Sequence, residues 1–117
     1  MTDGTRDTLR DMVEAIVEAV DPEQIILFGS QARGDARTGS DIDLLVVETD
    51  PFSAVRSRRK ELARVCRALA PYTVPIDVLL YSRAELAQWK HSRTHVIGRA
   101  LRDGKVVYAR LKARAGC

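Results

Sequence analysis

An apolar run, Ile25 to Phe28, stops abruptly at Gly29-Ser30, and a second apolar run, Leu44 to Val47, is entered through Asp41-Ile42-Asp43. This stretch constrains the chain more than any other. Residues two apart on a β-strand share a face, so Asp41 and Asp43 aim two carboxylates the same way, roughly 7 Å apart at Cα. A hard cation such as Mg²⁺ takes oxygen ligands held on a rigid element and keeps positions for phosphate and water. Gly29-Ser30 falls at a strand-to-helix turn, where backbone N–H groups and a hydroxyl suit a phosphate. The stretch therefore offers a phosphate cradle and a metal-binding pair, each beside an apolar strand. Metal-dependent phosphoryl or nucleotidyl transfer is the chemistry these two features imply together.

Gly29-Ser30, ten residues and then Asp41-x-Asp43 resembles the signature of the DNA polymerase β-type nucleotidyltransferase superfamily. The form with Ala32-Arg33-Gly34 and Ser40-Asp41-Ile42-Asp43-Leu44, in a chain of 117 residues, resembles the minimal nucleotidyltransferases. Members of that family are commonly encoded beside a helical partner with a HEPN domain, as antitoxin and toxin. A lone Asp-x-Asp or a lone Gly-Ser says little. Their joint occurrence at this spacing is specific, although the motif covers only a small part of the chain.

The length fits one domain, and 45% hydrophobic residues can fill a core of moderate size. Charged residues make up 30% of the chain, a composition of globular rather than disordered proteins. No apolar stretch reaches the roughly 20 residues a membrane span requires, and Met1 to Arg10 has no apolar signal segment. Cys66 lies in a helical pattern and Cys117 is the last residue, which is no disulfide framework, so a cytoplasmic location is expected. The net charge of +3 conceals an asymmetry: residues 1–50 hold 4 basic and 12 acidic residues, and residues 51–117 hold 15 basic and 4 acidic. A basic half suits a nucleic acid or an acidic protein partner, and equally a solvated surface that balances in the fold.

Leu9, Met12, Val13, Ile16, Val17 and Val20 recur with the helical period and predict an amphipathic helix over Thr5 to Val20. Asp21-Pro22 ends it, and Gln24 to Phe28 follows as a buried strand. Ser30 to about Asp35 predicts a short helix, on which Arg33 either grips phosphate or pairs with Asp35. Ser40 to Glu48 contains the second strand. Thr49-Asp50-Pro51 predicts a helix start, with Asp50 as cap, and the helix runs to about Leu69. Val55, Leu62, Val65, Cys66 and Leu69 form its apolar face, while Arg56, Lys60, Arg64 and Arg67 form a basic stripe. Arg58 falls on the apolar side and either buries its stem with an exposed head or reaches a ligand.

Val74 to Tyr81 predicts a third strand with Asp77 in an apolar run. A carboxylate buried there needs a cation or a metal, so Asp77 is either the third ligand beside Asp41 and Asp43 or a salt-bridge partner of Arg33 or Arg58. Ser82-Arg83-Ala84-Glu85 is a capping box opening a helix to about Lys90, with Leu86 and Trp89 inward. His91 and His95 have a zinc-like spacing, for which no third ligand is evident. A last helix spans Thr94 to Arg102, Asp103-Gly104 turns the chain, and Lys105 to Ala109 is an edge strand. Residues 1–109 form the domain and carry 16 basic and 16 acidic residues, so the tail, residues 110–117, supplies the net charge.

This order predicts an α/β or α+β domain, a single small one, with a mixed sheet packed by helices. The resemblance implies the nucleotidyltransferase fold, with ATP as substrate and two Mg²⁺ ions. It further implies Gly29, Ser30 and Arg33 at the triphosphate, Asp41, Asp43 and Asp77 as metal ligands and catalytic groups, and Asp77 as the base. The expected reaction is transfer of AMP to a hydroxyl, typically tyrosine, of a separately encoded HEPN-type helical toxin, within a homo- or hetero-oligomer. After Tyr81 only 36 residues remain, too few for a separate acceptor domain, which points the same way. The alternatives are an antitoxin that acts by binding alone and an aminoglycoside-type nucleotidyltransferase. With 5% aromatic residues, no broad stacking surface and so no nucleic-acid partner is expected.

Overall fold

The computed structural model describes residues 2–29, 42–54, 57–72 and 76–110. Within them the elements are α1 (Thr2–Val20), β1 (Gln24–Phe28), β2 (Ile42–Glu48), α2 (Arg58–Leu69), β3 (Ile76–Ser82), α3 (Arg83–Trp89), α4 (Val96–Asp103) and β4 (Lys105–Ala109). The sheet order is β3-β2-β1-β4. β1 pairs antiparallel with both β2 and β4, while β2 and β3 run parallel. The expected mixed sheet is present. Parallel neighbours need a crossover, and α2 supplies it.

Helices cover both faces of the sheet. On the first face Met12, Val13 and Ile16 of α1 and Val65 and Leu69 of α2 pack on Ile25, Leu27, Ile42, Leu44, Val46 and Leu80. On the second, Ala100 of α4 packs on Ile26, Leu45 and Val47, with Leu86 of α3 and Phe28, Leu79, Tyr81 and Leu101 around them. β2 lies between two strands and under helices on both sides, so Leu44 to Val47 are all buried. That is why this strand reads as a continuous apolar run rather than an alternation. Each such side chain contributes about 1.5–3 kcal/mol of burial.

Several expectations need correction. Asp50-Pro51 does not start α2. Ser57 caps it, its Oγ accepting from Lys60 N at 3.0 Å, and Phe52 packs instead against the first core. The inward stripe of α2 is narrower than expected: Val65 and Leu69 are buried, Leu62 is half-buried and Cys66 is exposed. Trp89 is 36% exposed and lies outside the core, stacked on His95 with ring centroids 4.3 Å apart. His91 and His95 do not share a helix. His91 lies in the link between α3 and α4, and His95 caps α4, its Nδ1 accepting from Ile97 N at 3.1 Å. The capping box at Ser82 and Glu85 is formed as expected. Arg110, at the start of the presumed tail, is tied down: its N donates to Glu23 O at 2.8 Å and its guanidinium to Asp21 O at 2.5 Å and Thr49 Oγ1 at 3.3 Å. Residues 111–117 and the short helix expected after Ser30 lie outside the described residues.

Candidate functional site

Register builds the site. β1 runs antiparallel to β2, so its last residue, Phe28, lies opposite Asp43. β3 runs parallel to β2 in a register that sets Asp77 opposite Asp43. Opposed residues point to the same face. Phe28, Asp43 and Asp77 therefore form one row across three strands, each about 4.8 Å from the next. The row lies on the second face, at the end where β2 and β3 begin.

Gly29 closes this row. Its φ is +77°, a left-handed conformation that costs any residue with a Cβ about 1–2 kcal/mol. A Cβ built there would stand 2.3 Å from Asp43 Oδ2 and 3.2 Å from its Cγ. Glycine at this turn is thus demanded twice, by the backbone and by the carboxylate that occupies the space of its missing side chain.

Asp43 is half-buried and Asp77 exposed. The expectation of a buried Asp77 does not hold, because Asp77 stands second in β3, at the open end of the sheet. What brings it to Asp43 is register, not the cost of burial. Two carboxylates directly opposite on adjacent strands destabilise a bare sheet, and a divalent cation between them reverses the sign. Oxygen-only donors on two rigid strands, beside a turn whose backbone is bare, fit Mg²⁺ and a phosphate. Ser30, Arg33 and Asp41 lie outside the described residues. Among the described residues no group of three or more His, Cys, Asp and Glu could hold a metal. The structure accordingly brings together Gly29, Asp43 and Asp77 of the expected set.

Arg58 does not serve Asp77. Its guanidinium pairs with Glu85 and lies over the rings of Phe52 and Tyr81, 4.9 and 5.3 Å from their centroids. This clamp links the start of α2 to the start of α3, toward the other end of β3. Burial works to raise the Glu85 carboxyl, but the Ser82 backbone N–H, the hydrogen bond and charge of Arg58 and the Ser82 hydroxyl outweigh it, and the net shift is downward. Sequence reasoning missed Phe28 as the apolar flank of the row. Its place as the last strand residue before Gly29 was the available signal, and only the register with Asp43 gives that place meaning.

The family model of the nucleotidyltransferase domain matches residues 9–105, which include Gly29, Asp43 and Asp77. No curated protein matches the chain. Among solved structures, a Sulfolobus solfataricus protein described as a nucleotidyltransferase is similar, with 20% identity over 89% of this chain and 79% of that one and a TM-score of 0.60. A toxin–antitoxin structure with AMP-PNP matches with 20% identity over 89% and 76% of the two chains and a TM-score of 0.51. A mutant form of the toxin–antitoxin pair MntA-HpeT matches with 16% identity over 91% and 77%, at a TM-score of 0.52. At these identities the likeness is one of fold.

Proposed function

The chain belongs to the nucleotidyltransferase domain family, and we propose that it transfers AMP from ATP to a hydroxyl, foremost a tyrosine, of a separately encoded HEPN-type helical toxin. The observation that carries this reading is the in-register pair Asp43 and Asp77, with Gly29 at positive φ against the Asp43 carboxylate. Asp43, Asp77 and Asp41 would hold Mg²⁺. When bound, the metal neutralises charge on the phosphates and sharpens the attacking oxygen. Gly29 leaves the backbone open to the β- and γ-phosphates, and Ser30 and Arg33 extend that cradle. The acceptor oxygen attacks the α-phosphorus and the bond to the β-phosphate oxygen breaks. Pyrophosphate departs, and the hydroxyl proton passes to Asp77 or through it to water.

Asp77 is exposed, so an acceptor offered by another chain can reach the row without a pocket. Lys60, Arg64 and Arg67 on the outer face of α2 are also exposed, a surface suited to an acidic partner. Arg64 is shared with Glu61 at 3.3 Å. Two of the chains of like fold belong to toxin–antitoxin structures, one of them with AMP-PNP, which supports both the nucleotide and the partner class. No described helix is long and apolar enough to cross a membrane.

Intact-mass spectrometry of a co-incubated toxin with ATP and Mg²⁺ tests the proposal. A gain of one or more adenylyl groups, with loss of the toxin's RNase activity, is expected. Inhibition without any mass gain would replace transfer by binding alone. Nucleotidylation of aminoglycosides in place of the toxin would make the enzyme a small-molecule transferase.

A further inference from the structure

The link from α3 to α4 concentrates positive charge that the transfer reaction does not use. Residues 86–102 contain four Lys or Arg, two His and no carboxylate. Lys90, His91, Arg93 and Arg102 line a concavity of about 450 Å³, and all four are exposed. Among the described residues, none of these side chains enters an ion pair. Arg102 instead donates to two neutral acceptors, Ser92 O at 2.9 Å and Arg93 O at 3.3 Å. These two bonds orient the guanidinium without neutralising its charge. Cations held around a hollow repel one another, and the stable occupant is an anion.

The elbow is built rather than loose. Ser92 N donates to Trp89 O at 2.9 Å, and Ser92 Oγ accepts from His95 N at 3.0 Å. Gly98 lets the loop lie on α4, since a Cβ there would stand 1.9 Å from Ser92 O. Trp89, the only tryptophan of the chain, is the last residue of α3 and the immediate neighbour of Lys90. One face of the indole is stacked on His95, 12° from parallel, which fixes its orientation. The side chain remains 36% exposed. Cations alone would suit an acidic protein equally well. A rigid, exposed indole on the residue next to Lys90 separates the two, because a nucleobase gains from stacking on it and a carboxylate side chain does not.

We propose that this elbow binds single-stranded nucleic acid, with Lys90, Arg93 and Arg102 on the phosphodiester backbone and Trp89 stacked on a base. The scarcity of aromatic residues excludes a broad stacking sheet. It does not exclude one aromatic placed by the fold beside a cation cluster. The elbow contains neither Gly29 nor Asp43 nor Asp77, so the inference stands or falls separately from nucleotidyl transfer.

Trp89 is its own probe. Titration of the full chain with an oligouridylate of about 10 nucleotides should quench its fluorescence. Affinity should fall with salt at a log–log slope of about −0.7 per phosphate contacted. Lys90→Glu with Arg93→Glu should weaken binding about tenfold or more at an unchanged Tm, since both side chains are exposed. Trp89→Ala, followed by anisotropy of a labelled oligomer, should weaken it by about fivefold to 100-fold, and Trp89→Phe should retain most of it. Absence of quenching, or equal binding by the charge-reversal variant, overturns the proposal. Polyglutamate that binds as tightly as the RNA and competes with it would overturn it in favour of an acidic protein partner.

Discussion

Gly29→Ala perturbs the candidate site through a single methyl group, and its consequences separate stability from chemistry. The backbone at residue 29 has φ +77°, so alanine there costs about 1–2 kcal/mol. The new Cβ would begin 2.3 Å from Asp43 Oδ2, where ordinary contact starts near 3.4 Å. The carboxylate therefore has to move by about 1 Å. Because it is the end of a side chain, the move is accommodated off-rotamer for about 0.5–1.5 kcal/mol. The expected loss is about 2–3 kcal/mol, a fall in Tm of about 10 °C for a domain of this size. Activity should suffer far more, because displacing a reacting group by about 1 Å costs on the order of 100-fold. Circular-dichroism melting and pyrophosphate release, assayed below both melting temperatures, measure the two effects. Gly104→Ala is the control. Its φ of −85° is ordinary, and its Cβ would meet Ala100 O at 2.3 Å and Ile26 Cγ2 at 2.6 Å, so it destabilises without touching Asp43. A Gly29→Ala protein that transfers at the wild-type rate, or a Gly104→Ala protein that loses as much activity at equal folded fraction, would refute the reasoning.

Asp43→Asn and Asp77→Asn should each abolish transfer, and Asp77→Asn should leave Tm unchanged or slightly raised, since it removes one of two opposed carboxylates; melting curves without Mg²⁺ and labelled-ATP transfer with it check both halves. Ser82→Ala should cost about 1 kcal/mol by removing the cap of α3, read by denaturant titration. Glu85 has a folded-state pKa below its ordinary 4.5, so its stabilisation is fully present above that value and is lost as pH falls through the folded pKa. Glu85→Gln should accordingly flatten the stability profile on the acid side of pH 4.5 and change its shape little above. Arg110→Ala should lower stability by about 1–2 kcal/mol, because two guanidinium hydrogen bonds tie the end of β4 to Asp21 and Thr49; an unchanged denaturation midpoint would show that the contact is idle.

Local chemistry was enough to specify much of this protein. The period of α1, the bounds of β1, the capping box of α3 and the turn into β4 all follow from short-range pattern. Gly29, Asp43 and the family signature around them were equally legible, because phosphate and metal chemistry needs those residue types close together in the chain. The register was not legible, although Asp77 was expected beside Asp43. That Asp77 lies opposite Asp43, and Phe28 opposite Asp43 on the other side, is a matter of register between strands far apart in sequence, set by cores on both faces of the sheet. The helix start at Ser57 was hidden for the same reason: Asp50-Pro51 has good local capping chemistry, but the packing of Phe52 on the first core prevails. Trp89 looked like a core residue and His95 like one of two histidines at a zinc-like spacing without a third ligand, and the tertiary structure made them a stacked pair in the elbow that carries Lys90, Arg93 and Arg102. Intrinsic preference acts within a few residues and can be read along the chain, whereas register, exposure and the gathering of charge depend on which surfaces are buried together, and only the folded structure decides that.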